Sequence, residues 1–411
     1  MRPGDAATRP RDAPRDHDGT AAESVLRLIS VPRIAQDTSG ERHATWLELF
    51  FDLVFVVAVA ALARFLHEDL TAAGLLAFVL LFVPVWWQWI DFSYFLDQFD
   101  THDLLHKLVL FAVMFGVIAL AIAIPGALHG GAVQFTLAMI ALRTLMVWHY
   151  WRAWRNVPES HELTGRYLLS FSVALGVWLL SLAVPEPAKY AVWALAQAIE
   201  IANGPITYAT IRHVPRQVSH MDERFGLFVI IVLGEAVVQV AAGIADVRWQ
   251  GSGTVAAVSA FLLAACAWWL YFLRADASVI HRALRSDRHN LLLAYVYGYS
   301  HFFVFAGITA AAVGAEVAIH AAPGGQLPAG AGLVLSAGLA AYLFGVTALQ
   351  YAAPRSLPRA VIAGRLATAA LVGLVLPESA VLGPARALAG LAVAFVALTA
   401  WETLGANRTL G

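Results

Sequence analysis

The residues of this chain that could do chemistry are acids and bases set inside long apolar runs. Glu48 and Asp52 open the run from Thr45 to Ala63, four residues apart and so on one helical face. Two carboxylates on one face could bind a cation or relay protons. They could equally anchor a helix at a membrane surface, where acids offset the positive helix end by about 0.3–1 kcal/mol. Glu235 lies deeper, in the run from Asp222 to Ala241, beside Gly234, whose missing side chain would permit close helix contact. An ionisable group at mid-membrane costs about 2.5–3.5 kcal/mol to insert. Glu235 should therefore hold an ion or proton, or stay protonated and hydrogen-bonded to backbone. Arg224 precedes it on nearly the same face, but about 16 Å away along the axis, too far to be its direct partner.

Further acids and histidines cluster where a second run ends and a third begins: Asp91, Asp97, Asp100, His102, Asp103 and His106. His102 and His106 share a face but lack a dedicated third ligand, so no metal is read here. Asp91, one turn beyond Trp86-Trp-Gln-Trp89, is placed within the membrane and joins Asp52, Glu235 and Glu48 as an ion- or proton-binding candidate. The rest of the cluster reads as a solvated loop. Arg143 and Glu200 each interrupt an apolar run, and a buried ion pair supporting the bundle is their simplest reading. Glu223 and Arg224 complete the expected supporting network. No catalytic residue or cofactor is read from the sequence, because GxSxG, HExxH, Walker A and dinucleotide GxGxxG patterns are missing from suitable contexts.

These groups need elements to carry them, and composition says which. Of 411 residues, 60% are hydrophobic and 13% charged, against about 45–50% and about 25% in soluble domains. So little charge cannot cover a water-facing surface of this size, and an all-α, polytopic integral membrane bundle is expected. A net charge of −1 gives no reason to expect nucleic acid as a partner. The single cysteine, Cys266, excludes an intrachain disulfide. Thirteen tryptophans and eleven tyrosines suit interfacial belts. Residues 1–43, rich in Arg, Asp, Pro and Ala, read as a disordered cytosolic tail without a signal peptide.

Apolar stretches of about 20 residues, the length a bilayer core requires, recur twelve times: 45–65, 74–96, 105–124, 132–152, 165–184, 189–210, 222–243, 253–273, 290–313, 328–351, 359–376 and 384–404. With the N-terminus inside, the outside segments hold only Arg64, Lys189, Arg248 and Arg386 of the 27 Lys and Arg residues. That bias predicts both termini in the cytosol and an even number of spans. The halves, 44–214 and 215–411, read as two parallel six-helix repeats. Glu48-x-Phe50 matches Glu223-x-Phe225, Trp86-Trp87 matches Trp268-Trp269, His106 matches His289, and Pro185-Glu186 matches Pro377-Glu378.

At Leu47-Glu-Leu-Phe-Phe-Asp-Leu-Val-Phe55 and from Glu223 to Glu235 the chain resembles the bacterial low-temperature-requirement protein A family. The likeness extends over about residues 42–405. Gly234-Glu235-Ala236 stands where that family commonly has Gly-Glu-Ser. The resemblance implies a polytopic inner-membrane protein and brings no agreed reaction or substrate. Phe50-Phe51-Asp52 is also similar to the Phe-Ser-Asp of endolysosomal potassium channels built from two six-helix repeats, which implies architecture only. The expectation is a membrane protein moving a small ion or solute through buried carboxylates, with the lipid bilayer as its other partner and its oligomeric state open. A non-transporting factor supporting growth in the cold and a membrane-embedded enzyme remain the alternatives.

Overall fold

Thr45 opens the first helix with a reciprocal cap: its Oγ1 accepts the Glu48 N–H at 3.3 Å while Glu48 Oε2 accepts the Thr45 N–H at 2.7 Å. Two otherwise orphaned donors are thereby satisfied before the chain enters apolar surroundings. The computed structural model describes residues 32–34, 44–101, 103–211, 220–247, 251–273, 288–352 and 357–408. Among these run twelve long helices: α1 Trp46–Glu68, α2 Ala72–Gln98, α3 Leu104–Ala123, α4 Ala132–Asn156, α5 His161–Ser181 and α6 Ala188–Thr210. They continue with α7 Met221–Val247, α8 Gly251–Phe272, α9 Arg288–Ala321, α10 Ala329–Ala352, α11 Arg359–Leu382 and α12 Pro384–Arg408. Each matches one expected apolar stretch.

Among the described residues, ten of these helices are long and apolar enough to cross a membrane. Of the two outside that set, α6 buries Gln197, Glu200, Asn203 and Thr207. Polar residues facing inward lower the hydropathy of α6, which its length still identifies as a span. Arg33–Ile34, within the stretch read as tail, forms β1 and pairs antiparallel with β2, Phe99–Asp100, between α2 and α3.

Two features depart from the expected pattern. Helix α11 does not stop at Pro377 but runs on to Leu382, and the chain reverses at Gly383 with φ +78°. A proline in a helix interior costs one hydrogen bond and is tolerated in membrane helices; a left-handed residue is what turns the backbone. The close contact expected at Gly234 is also missing, since a Cβ there would meet nothing within 4 Å. Close approach falls instead on the seam between α9 and α10. A Cβ added at Gly338 would lie 2.3 Å from Ala311 N, and one at Gly307 2.6 Å from Tyr342 N. Small residues let two backbones meet and gain dispersion where no hydrophobic effect drives helices together.

Around that seam α9 also packs on α7, while α3 packs on α1, and α1 touches α7. Helices α4, α5 and α6 pack consecutively, as do α10, α11 and α12. Exposed tryptophans Trp46, Trp151, Trp154, Trp268, Trp269 and Trp401 all fall near helix ends on the face where the chain enters α1. That is the position of an interfacial aromatic belt.

Candidate functional site

Asp52 sits two turns into α1, fully buried. Arg224 on α7 grips it from Nε to Oδ2 at 3.2 Å and from Nη2 to Oδ1 at 2.5 Å. Trp89 on α2 donates its indole N–H to Oδ1 at 2.8 Å, and Arg224 Nη1 donates to the Ser93 carbonyl at 3.1 Å. The indole is held in place by stacking on Phe228, centroids 4.4 Å apart. Three helices thus meet on one carboxylate. The Asp52 acceptors and Arg224 donors are matched as a forked pair requires.

Nearer the N-terminal face, His220 lies just before α7. Its backbone N–H donates to Asp97 Oδ1 at 2.8 Å, its ring Nδ1 is 2.9 Å from the same oxygen, and its Nε2 is 3.9 Å from Glu48 Oε1. Burial opposes a charge on this ring, but the Asp97 and Glu48 carboxylates outweigh it and push the His220 pKa up to about 9. Glu48 is therefore both a capping residue and a partner of His220. Arg224 lies in electrostatic reach of Glu48, Asp52 and Asp97 alike. A cavity of about 250 Å³ opens beside this group, with Glu48, Thr101, His106 and Lys107 in its wall. One water needs about 10–15 Å³ of such space, so several waters or a small solute fit. Thr101 Oγ1, buried in that wall, has no hydrogen-bond partner among the described residues.

A second cluster lies deeper, by about 10–20 Å from the same face at 1.5 Å per residue. Arg143 on α4 donates from Nη1 to Asp91 Oδ2 at 2.8 Å and from Nη2 to Glu200 Oε2 at 2.7 Å. Trp178 on α5 donates to Glu200 Oε1 at 3.3 Å, and the Phe171 ring lies 4.8 Å from the guanidinium carbon. Gln197 and Asn203, one turn either side of Glu200, keep buried polar atoms without partners among the described residues.

Two more buried pairs lie elsewhere among the described residues. Arg365 holds Glu402 through two 2.8 Å bonds and also donates to Gln350 at 2.8 Å. Arg152 donates to Asp103 at 2.6 Å. Glu235 belongs to none of these clusters. It is half-exposed, with Gln239 Nε2 at 3.4 Å. The nearby cavity of about 40 Å³ is walled by apolar groups such as Leu233, Leu263 and Leu335. Glu223 is exposed in the first turn of α7. His102 falls outside the described residues, among which no group of three His, Cys, Asp or Glu side chains converges on one point.

The structure thus brings together Arg143 with Glu200 and Asp91, and Asp52 with Arg224. Sequence reasoning did not see Asp52–Arg224, Asp97–His220 or Arg365–Glu402. The signal available for the first was only that each charge lies near the start of a long apolar run.

Comparison with known proteins adds two findings. The family model for the bacterial low temperature requirement A protein (LtrA) matches residues 43–400. The uncharacterized protein RA0937 of Rhizobium meliloti (strain 1021) is 28% identical over 316 residues, 74% of this chain and 75% of the relative.

Proposed function

We propose that this chain, which belongs to the bacterial low temperature requirement A family, moves a small ion or solute across the bacterial inner membrane, linked to protons or cations. One observation carries the reading. The 250 Å³ cavity at the N-terminal face has Glu48 in its wall, and behind Glu48 lie the buried carboxylates of Asp97 and Asp52. A wetted vestibule leading to buried acids is what a cation or proton path needs at one of its ends. No enzymatic step is included in the proposal.

The proposal includes two six-helix repeats with both termini cytosolic. In support, α1–α3 contacts have their counterpart in α7–α9, and each half buries one Arg–Glu pair whose acid stands on its sixth helix, Glu200 and Glu402. The opening helices of the halves meet at Asp52–Arg224, where a rocking motion would be felt first.

A second reading has its own observation. Arg365–Glu402 and Arg152–Asp103 are buried ion pairs, and Glu235 stands apart from Asp52 and Arg143, as in a membrane factor that transports nothing. Flux into proteoliposomes separates the two, scanning K⁺, Na⁺, H⁺ and small organic solutes for wild type, Asp52→Asn and Glu235→Gln. Transport predicts flux that Asp52→Asn abolishes at temperatures where the variant stays folded. Absence of flux for every species favours the structural factor. Loss in Glu235→Gln alone would move the path to the middle of α7.

A further inference from the structure

The four buried arginines on the ion-paired helices are not equivalent. Arg224 and Arg365 each hold the two oxygens of a single carboxylate, from Asp52 and Glu402, and Arg152 pairs with Asp103. Arg143 faces two, Asp91 and Glu200, and its own exposure is 0%. With both acids ionised, this cluster carries one uncompensated negative charge in the membrane interior, which is costly unless neutralised.

What could neutralise it is limited by geometry. The Arg143 nitrogens already occupy the positions facing Asp91 Oδ2 and Glu200 Oε2, at 2.8 and 2.7 Å. A metal cation bound there would sit against a guanidinium of the same sign. Phe171 closes one side of Arg143, and Trp178 offers only an N–H. Among the described residues, the other titratable groups in electrostatic range of Asp91 are Tyr150 on α4, Tyr167 on α5 and Tyr299 on α9, all neutral phenols at ordinary pH. Neutralisation must therefore occur on the acids themselves.

The geometry points to Asp91, Arg143 and Glu200 as a binding site for one exchangeable proton, shared between the two carboxyl groups. In the protonated state one acid is neutral and the other pairs with Arg143; in the deprotonated state both carboxylates flank the guanidinium. Asp91 is the more accessible acid, 8% exposed against 1% for Glu200, and so is the entry point. The Gln197 amide and the Asn203 Nδ2, without partners among the described residues, flank Glu200 along α6, where they could hold water against it. The site's existence is independent of transport; its use as the coupling site rests on that reading.

The test is an equilibrium one: infrared difference spectra of the full-length protein in lipid nanodiscs between acidic and alkaline pH. Wild type should show a protonated carboxyl C=O band that disappears on raising the pH. Asp91→Asn and Glu200→Gln should each abolish it, because either leaves one acid facing one arginine. Each also retains an Arg143 ion pair, which protects folding. Asp52→Asn should keep the band, and Arg143→Gln should roughly double it, since both acids then lose their cation. A wild type without a titrating band overturns the inference. So does a band that survives both substitutions, or one lost in only a single variant, since that acid would then hold its proton without sharing it. Flux without the band would leave transport standing and remove the site; the band without flux would do the reverse.

Discussion

Asp52 and Arg224 stand 172 positions apart in sequence and share two hydrogen bonds inside the bundle, where neither side chain is exposed. Removing one partner of such a pair strands the other charge, at a cost of about 3–5 kcal/mol. Asp52→Asn should therefore lower the thermal unfolding temperature in detergent, although the amide can still accept from Trp89. Asp52→Asn with Arg224→Gln should cost less than the two single effects added, since neither residue then leaves a bare charge. Strict additivity would show that the pair contributes nothing as a pair.

His220 makes stability depend on pH in a direction that can be worked out. Its pKa is raised to about 9 in the folded protein from an ordinary value of 6.5. Folded and unfolded states both bind the proton below 6.5, so the contribution is complete there. It is lost as the pH climbs through about 9, where the folded state releases its proton too. A shift of this size corresponds to about 3 kcal/mol at most. His220→Gln should flatten the fall in unfolding temperature between neutral and alkaline pH, and an unchanged profile would assign the dependence to another group.

The Arg365–Glu402 pair should behave as structure alone. Glu402→Gln strands Arg365 and should destabilise by about 3–5 kcal/mol, whereas replacing both with apolar residues of similar volume should recover most of that loss. Whatever flux the wild type supports should persist in the double variant per folded molecule. Flux lost in a well-folded double variant would bring the second half into the path.

Gly338→Val should fail for a steric reason. Even a Cβ at this position meets Ala311 N at 2.3 Å and Gly307 O at 2.7 Å, both backbone atoms that cannot swing aside. Overpacking of this kind costs about 1–3 kcal/mol and can exceed it. Gly373→Ala, where an added Cβ meets nothing within 4 Å, is the matched control and should leave size-exclusion behaviour unchanged.

Helix positions were legible because apolar runs of membrane length carry their own punctuation, as at Pro185 and Pro323. The exception is instructive: Pro377 was read as a stop, yet the reversal happens at Gly383, because backbone sign and not a missing N–H turns the chain. Asp52, Asp91, Arg143 and Glu200 were legible one by one, since each interrupts an apolar run. Asp97, Asp103 and His106, read as a solvated loop, are instead buried, because α4 and the chain before α7 pack over them with Arg152 and His220. Pairing was legible only for Arg143 with Glu200. Asp52–Arg224 and Asp97–His220 join opposite halves, and neither local spacing nor periodicity encodes which helices become neighbours. Glu235 stood out by depth along its helix, but depth does not say which way a side chain faces, and this one is half-exposed beside Gln239.

The glycine seam has a practical consequence. With backbones in near contact at Gly307, Gly314, Gly338 and Gly345, α9 and α10 have no side-chain layer along which to slide. Their outward faces still carry large residues, Phe303 and Phe344, whose rings lie 4.9 Å apart. Spectroscopic labels placed along these two helices would therefore form an internal ruler of fixed length. Any distance that changes from this ruler to a label on α1 can then be assigned to motion of the first half.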